Sequence, residues 1–228
     1  MLSTGEKICI WGGPATLVLF GLAMMPAAHF IPPLSPNLSE AAVVDLYRTN
    51  SLGIRIAGAL MMGCVGTYSM WVAGISAAIK RIEGKVAPLA YCQLITGFLA
   101  LVPFLLTALL FVVAAYRPER SPEITHMLND FAWLSMVMPA PSGFIQPAII
   151  AIAILTDKHV PTVLPRWLGY LNVWVAILFL PGTLCGFFRT GPFAWNGLLA
   201  FWLPAVTLVV FQAGTVYALL WKQQEPND

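Results

Sequence analysis

The chain has 228 residues, of which 59% are hydrophobic and 10% are charged, and its formal net charge is +2. Its mean hydropathy of +0.80 is far above that of a soluble domain of this size. These values indicate an integral membrane protein, and so small a net charge excludes a broad electrostatic field for nucleic acid.

Apolar runs long enough to cross a hydrocarbon core of about 30 Å recur along nearly the whole chain. We predict an all-α integral membrane protein, a six-transmembrane-helix bundle in a single polytopic domain over residues 1–228. The predicted spans lie at about 8–31, 52–79, 87–115, 123–156, 166–188 and 193–221. Six spans put both termini on one side, and the basic turn "KRIEGK" predicts that this side is the cytoplasm. We expect the protein in a bacterial cytoplasmic (inner) membrane.

The first connection carries "PLSPNLSEAAVVDLYRTN", and it predicts an amphipathic helix at about 37–50. Asn37 or Ser39 can cap this helix, while Glu40 early and Arg48 late complement the helix dipole. Its apolar side chains share one face: Val43, Leu46 and Tyr47. The helix either lies at the outer interface over the bundle mouth or is a capped connector without a role in access.

Small residues crowd one face of the second span: Gly53, Ala57, Gly58, Gly63 and Gly66. Such a face lets helices approach closely, either inside the bundle or in a dimer. The sequence also contains a weak internal repeat, since Gly97-Phe-Leu-Ala with Pro103 resembles Gly197-Leu-Leu-Ala with Pro204. This spacing is compatible with a three-plus-three inverted repeat.

The fourth span is interrupted by prolines. Pro139, Pro141 and Pro147 fall within nine residues, and each removes a backbone hydrogen bond from a helix. We therefore predict a proline-broken fourth helix, in which two half-helices meet at mid-membrane depth. Ser142 and Gln146 would supply hydrogen-bonding groups there, and interrupted spans of this kind point to a binding site inside a bundle.

Ionisable residues near the outer ends of the helices give a second candidate region. His126 and Asp130 lie four residues apart on one face of the fourth span, and Asn129 and Trp133 lie beside them. Arg55, in the first turn of the second span, is a candidate ion-pair partner for Asp130. Together these residues predict a polar vestibule above the break.

Sequence motifs for enzymes are missing, among them HExxH, GxSxG and a Gly-rich phosphate loop. The three histidines, His29, His126 and His159, are too few for a histidine-rich di-iron site. A single haem held by His29 and His126 is geometrically conceivable. We predict no catalytic residues, no metal site and no cofactor.

Three functional hypotheses follow. The first is a protein that binds or translocates a small, mostly apolar or neutral solute through a cavity at the broken helix. The alternative is a non-catalytic accessory or anchoring subunit of a larger membrane complex, and the third is a membrane-embedded enzyme that uses Asp130 and His126 as an acid–base pair. Expected partners are the lipid bilayer, the solute, and a second copy or another membrane subunit; nucleic acid is not expected.

Overall fold

The computed structural model describes residues 2–139 and 143–221. Of these described residues 78% are helical, and no strand occurs among them. The α-helices in chain order are α1 Thr4–Leu22, α2 Glu40–Thr49, α3 Ser51–Glu83, α4 Pro88–Leu99, α5 Val102–Tyr116, α6 Pro122–Val137, α7 Ile145–Leu155, α8 Arg166–Phe179 and α9 Leu203–Trp221. A π-helical segment at Ala23–Ala27 extends α1, and another at Leu198–Trp202 leads into α9. A 3-10 segment at Leu180–Phe187 extends α8.

Within the part of the chain that the structure describes, five continuous helical units are long and apolar enough to cross a membrane. They are Thr4–Ala27, Ser51–Glu83, Pro88–Tyr116, Arg166–Phe187 and Leu198–Leu220. Each corresponds to one predicted span, and together they are consistent with membrane integration. The predicted span 123–156 instead contains two short helices, α6 with 16 residues and α7 with 11. The sixth span therefore stays a prediction.

Four boundaries of these helical units differ from the predicted spans by four or five residues, and two of the differences have a clear local cause. The first span begins at Thr4 rather than residue 8, because Ser3 caps the helix and Glu6 completes a capping box with it. The last span begins at Leu198 rather than residue 193, because the preceding residues form a tight turn. In that turn the carbonyl of Pro192 accepts hydrogen bonds from the backbone N–H groups of Leu199 and Ala200.

The helices pack through close backbone approaches at glycine. A Cβ atom on Gly12 of α1 would lie 2.3 Å from the carbonyl oxygen of Thr67 in α3. A Cβ atom on Gly58 of α3 would lie 2.2 Å from a methyl group of Val112 in α5. Gly58 therefore serves packing inside the bundle, whereas Gly66 has open space around it.

Helix α2 packs on α6 at the end of the bundle opposite the N terminus. We call this the α2 end, and the opposite one the terminal end. Ser39 is the N-cap of α2, and its hydroxyl accepts a hydrogen bond of 3.3 Å from the N–H of Ala42. Val43 and Tyr47 are buried, so the apolar face of α2 covers the α2 end.

The core contains two aromatic clusters at different depths. The α2-end aromatic cluster consists of Phe30, Phe111, Trp133 and Phe201, with ring centroids 4.8–6.2 Å apart along its contacts. The terminal-end aromatic cluster consists of Tyr68, Trp71 and Phe211, with both ring contacts at 5.0 Å. The side chains of both clusters are buried, and only Tyr68 and Phe201 keep a small exposed fraction, 8% and 7%.

Candidate functional site

A cavity of about 150 Å³ lies between the two aromatic clusters, with Phe201 on one side and Tyr68 on the other. It is partly open and its wall is mostly apolar. Helix interruptions supply much of this wall: Ala100 and Leu101 between α4 and α5, Pro139 and Gly143 between α6 and α7, Phe179 at the end of α8, and Ala200 and Pro204 at the start of α9. Irregular backbone inside a membrane protein must be buried in protein or line a cavity, and here it does the latter.

Gln146, at the start of α7, brings an amide group to the cavity wall. Its side chain is buried, and its Oε1 accepts a 2.9 Å hydrogen bond from the hydroxyl of Tyr68 in α3. That bond fixes the orientation of the amide, and Nε2 has no hydrogen-bond partner among residues 2–139 and 143–221. A Cβ atom on Gly97 would lie 2.8 Å from this Nε2, so glycine at position 97 makes room for the amide.

Gln212, on α9, is the second amide in the wall. Its side chain is fully buried, and neither Nε2 nor Oε1 has a hydrogen-bond partner in the described part of the chain. A buried polar atom without a partner costs about 1–3 kcal/mol. Native proteins keep few such atoms. Other unpaired buried atoms in the described residues, such as Nε2 of Gln93 and Oδ1 of Asn172, do not line the cavity, whereas Gln146 and Gln212 both adjoin a space that a ligand could occupy.

The other polar groups of the wall are already engaged. The hydroxyl of Thr16 donates to the carbonyl of Gly12 at 2.8 Å and lies 2.7 Å from the hydroxyl of Thr67. The thiol of Cys64 contacts the carbonyl of Thr16 at 3.7 Å. Gln146 and Gln212 therefore carry the free hydrogen-bonding capacity of the cavity.

The predicted vestibule residues lie at the α2 end and are not among the residues that line the cavity. Asn129 is buried, and its Oδ1 accepts a 3.2 Å hydrogen bond from the hydroxyl of Tyr47. Its Nδ2 lies 3.4 Å from Oδ1 of Asp130. Burial raises the pKa of Tyr47, and the nearby charge of Asp130 raises it further, so Tyr47 remains a neutral donor.

The expected pair of Arg55 with Asp130 does not form. Arg55 is exposed in the first turn of α3, and the ion pairs among the described residues are Arg81 with Glu6 and His159 with Asp157. Asp130 is half-buried and His126 is half-buried one turn before it. The structure thus brings Asn129 and Asp130 together and leaves Arg55 apart.

Trp133 has a packing role that the sequence did not reveal. Its ring is fully buried in the α2-end aromatic cluster, between Phe30, Phe111 and Phe201. It therefore lies between the predicted vestibule and the cavity. Ser142 lies outside the described residues, although its neighbours Pro139 and Gly143 both line the cavity.

Tyr68, Gly97 and Gln212 were not among the candidate site residues predicted from the sequence. The available signal was a tyrosine or a glutamine within an otherwise apolar helix. That signal could not give the side of the helix on which each residue lies, and the same pattern describes Gln93, which is buried against Ser76 away from the cavity.

The histidines are dispersed. His29 is exposed, with a backbone φ of 57°, and the His159 ring nitrogen lies 2.6 Å from the carboxylate of Asp157 at the terminal end. No group of three or more His, Cys, Asp or Glu side chains within residues 2–139 and 143–221 is arranged to hold a metal ion. Comparison of the chain with protein-family models, curated proteins and solved structures finds no match.

Proposed function

We propose that this protein binds a small, mostly apolar or neutral solute in the cavity between its two aromatic clusters. The observation that carries the proposal is the coincidence of an apolar, partly open cavity with two buried amides, Gln146 and Gln212, that keep polar atoms without a hydrogen-bond partner in the described part of the chain. An apolar cavity of about 150 Å³ is large enough to hold a benzene-sized molecule. A solute that offers hydrogen bonds to Gln146 or Gln212 would remove the penalty of leaving those amides unpaired.

The proposal includes the six-span topology, in which α6 and α7 together make the fourth crossing. Two contacts support it. α6 packs on α2, and Arg48 of α2 donates a hydrogen bond to the carbonyl of Pro118, just before α6. Residues 156–159 after α7 share a surface cavity with Glu83 and Leu89 at the terminal end. With this topology both termini are on one side, which the charge pattern of the loops assigns to the cytoplasm of a bacterial cell.

Photolabelling tests the binding site. The probe is 3-trifluoromethyl-3-phenyldiazirine, a small apolar molecule that forms a covalent adduct with its surroundings on irradiation. In liposomes that contain the protein, we expect saturable adducts on cavity-lining residues such as Tyr68 and Phe201, mapped by mass spectrometry of peptides.

A cavity-filling variant and a matched control make this test specific. Ala205→Phe introduces a ring at a lining position of α9, and we expect it to reduce the saturable adducts at least about tenfold. Ala213→Phe places the same ring on an exposed position of the same helix and is expected to leave the adducts unchanged. Equal labelling in both variants, or labelling that never saturates, would contradict the proposal.

Translocation and the accessory-subunit hypothesis stay predictions. Flux of a bound solute across liposomes would add transport to binding. The subunit hypothesis instead requires a stoichiometric partner chain in native membranes, and native mass spectrometry of the gently extracted protein measures this directly.

A further inference from the structure

We infer that the ligand of this cavity is a bilayer-dissolved molecule with a hydrogen-bond-accepting group, and that it enters sideways from the lipid. This inference rests on the proposed binding function and names the class of ligand and its route. Three observations carry it: the closure of both axial routes, the exposure of one lateral wall, and the orientation of the Gln146 amide.

Both ends of the cavity are closed by packed aromatic rings. Towards the α2 end, Phe201 contacts Trp133, which contacts Phe30 and Phe111 in turn. Towards the terminal end, Tyr68 contacts Trp71, and Trp71 contacts Phe211. Rings packed at these distances leave no channel between them, so the polar residues near Asp130 are not connected to the cavity along the bundle axis.

One side wall of the cavity is half-exposed rather than buried. Its half-exposed lining residues include Leu17, Phe20, Pro103, Phe104, Ala205 and Leu208, on α1, α5 and α9. Phe20 and Phe104 close the space between α1 and α5 with their ring centroids 5.7 Å apart, edge to face, but unlike the axial rings both lie at the half-exposed surface of the bundle. These helices are apolar membrane-crossing units, so this side faces hydrocarbon and the partly open cavity is reached from the lipid.

The amide of Gln146 selects the polar group of the ligand. Its Oε1 is engaged by the hydroxyl of Tyr68, so within the described residues only the Nε2–H donors of Gln146 remain unsatisfied. A carbonyl, ether or hydroxyl oxygen accepts such a bond, whereas a hydrocarbon leaves the donor unpaired. The apolar wall and the lipid-facing side exclude a charged molecule. The ligand is therefore a neutral, lipid-soluble molecule with an acceptor oxygen.

The acceptor preference is tested by competition between two molecules of similar size. Acetophenone carries a carbonyl oxygen, and ethylbenzene does not. Each molecule is added as a competitor, and the loss of diazirine adducts at Tyr68 and Phe201 is measured. After correction for partition into the bilayer, we expect acetophenone to compete about fivefold more effectively than ethylbenzene, a difference that one hydrogen bond can supply.

Two variants assign this preference to Gln146. Gln146→Leu is expected to bring the ratio of the two competitors close to one while the diazirine still binds. Gln93→Leu removes another buried glutamine, which does not line the cavity, and is expected to keep the preference. Equal competition by both molecules in the unmodified protein would overturn the acceptor assignment.

The lateral route is tested with a probe that cannot leave the bilayer. A phosphatidylcholine whose acyl chain ends in the same phenyldiazirine can reach the cavity only from the lipid. We expect adducts on Phe201 and Gln212 inside the cavity, and a several-fold increase in Phe20→Ala, which widens the gap between α1 and α5.

The outcomes separate the two proposals. Adducts of the tethered probe confined to outward-facing residues such as Val206 and Val209, with saturable cavity labelling by the free probe, would overturn the lateral route and leave the binding function standing. Absence of saturable labelling by the free probe would overturn both.

Discussion

Tyr68 controls how the cavity presents its polar group, because its hydroxyl holds the oxygen of the Gln146 amide. A buried hydroxyl and a buried amide satisfy each other in a region where no water competes. The remaining donor of Gln146 is then available for a ligand, in an orientation that Tyr68 and the missing side chain of Gly97 define together. A second buried amide, on Gln212, lines the same cavity without such a partner.

Tyr68→Phe is expected to destabilise the protein by about 1–2 kcal/mol, because Oε1 of Gln146 then becomes a buried acceptor without a donor. The measurement is the midpoint of unfolding in mixed detergent micelles. Tyr91→Phe, at an exposed position of α4, is the control and is expected to leave the midpoint unchanged. Equal midpoints for Tyr68→Phe and the parent protein would show that the bond contributes nothing.

Asp157 organises the connection between α7 and α8 outside the membrane-crossing helices. Its carboxylate accepts hydrogen bonds from the N–H groups of His159 at 2.9 Å and Val163 at 2.8 Å, and it lies 2.6 Å from the His159 ring. Burial raises the pKa of the Asp157 carboxyl, but these hydrogen bonds outweigh burial and hold the pKa below its ordinary value of 3.8.

This lowered pKa predicts a pH-dependent contribution to stability. A group whose pKa is lower in the folded state stabilises the protein above its unfolded pKa, and the contribution is lost as pH falls through the folded value. Asp157→Asn is therefore expected to cost about 1–3 kcal/mol at pH 7. The difference from the parent should shrink below about pH 4 in unfolding measurements. A difference independent of pH would contradict the assignment.

At the scale of elements, the sequence predicted the long helices well because apolar length alone determines them. The five units that can cross a membrane match five predicted spans, and the cap at Ser39 correctly marked α2. The π segments at Ala23–Ala27 and Leu198–Trp202 were not predictable, since an inserted residue leaves no periodic signal. The two similar segments that begin at Gly97 and Gly197 both continue into residues of the cavity wall. Their sequence similarity alone did not indicate that they meet at one cavity.

Close packing between α1 and α3 depends on Gly12, and its replacement tests that contact. In an exposed helix Gly→Ala is favourable by about 1 kcal/mol. At position 12 the new methyl group would lie 2.3 Å from a backbone oxygen, so the helices must separate. We expect Gly12→Ala to lower the unfolding free energy by about 1–3 kcal/mol.

Gly66→Ala is the matched control on α3. Apart from the backbone of its own helix, no described atom lies within 4 Å of the Cβ position at Gly66, so this substitution is expected to leave stability unchanged or to raise it slightly. The pair of variants separates packing from helix propensity. Equal effects at the two positions would mean that propensity dominates and that the α1–α3 contact adjusts freely.

At the scale of the whole molecule, the cavity results from where the interruptions of separate helices meet. The sequence predicted a break near Pro139 and a polar group at Gln146, because proline and glutamine are unusual in apolar spans. It placed Asp130, His126 and Arg55 in a vestibule above that break, from the depth of these residues along their helices. Depth cannot show that Trp133 and its neighbouring rings lie between them and the cavity, since that separation is a property of three-dimensional packing.

The topology of the fourth crossing decides whether the chain crosses the membrane six times. If α6 and α7 together cross, Lys85 and Lys158 lie on the same side of the membrane and Glu119 on the other. If the segment turns back at the break, Lys158 lies on the side of Glu119. All three side chains are exposed at connections between helices, so single cysteines there are suited to labelling.

We expect a membrane-impermeant maleimide to distinguish these arrangements in intact cells. The background is a variant in which Cys9, Cys64, Cys92 and Cys185 are replaced by alanine. With cytoplasmic termini, Glu119→Cys should be labelled from outside, whereas Lys85→Cys and Lys158→Cys should be labelled only after the cells are opened. Labelling of Lys158→Cys together with Glu119→Cys would contradict six crossings. The segment between α6 and α7 would then be a re-entrant turn. The connection after α7 would lie on the opposite side of the membrane from the α3–α4 turn, which disagrees with the surface cavity that residues 156–159 share with Glu83.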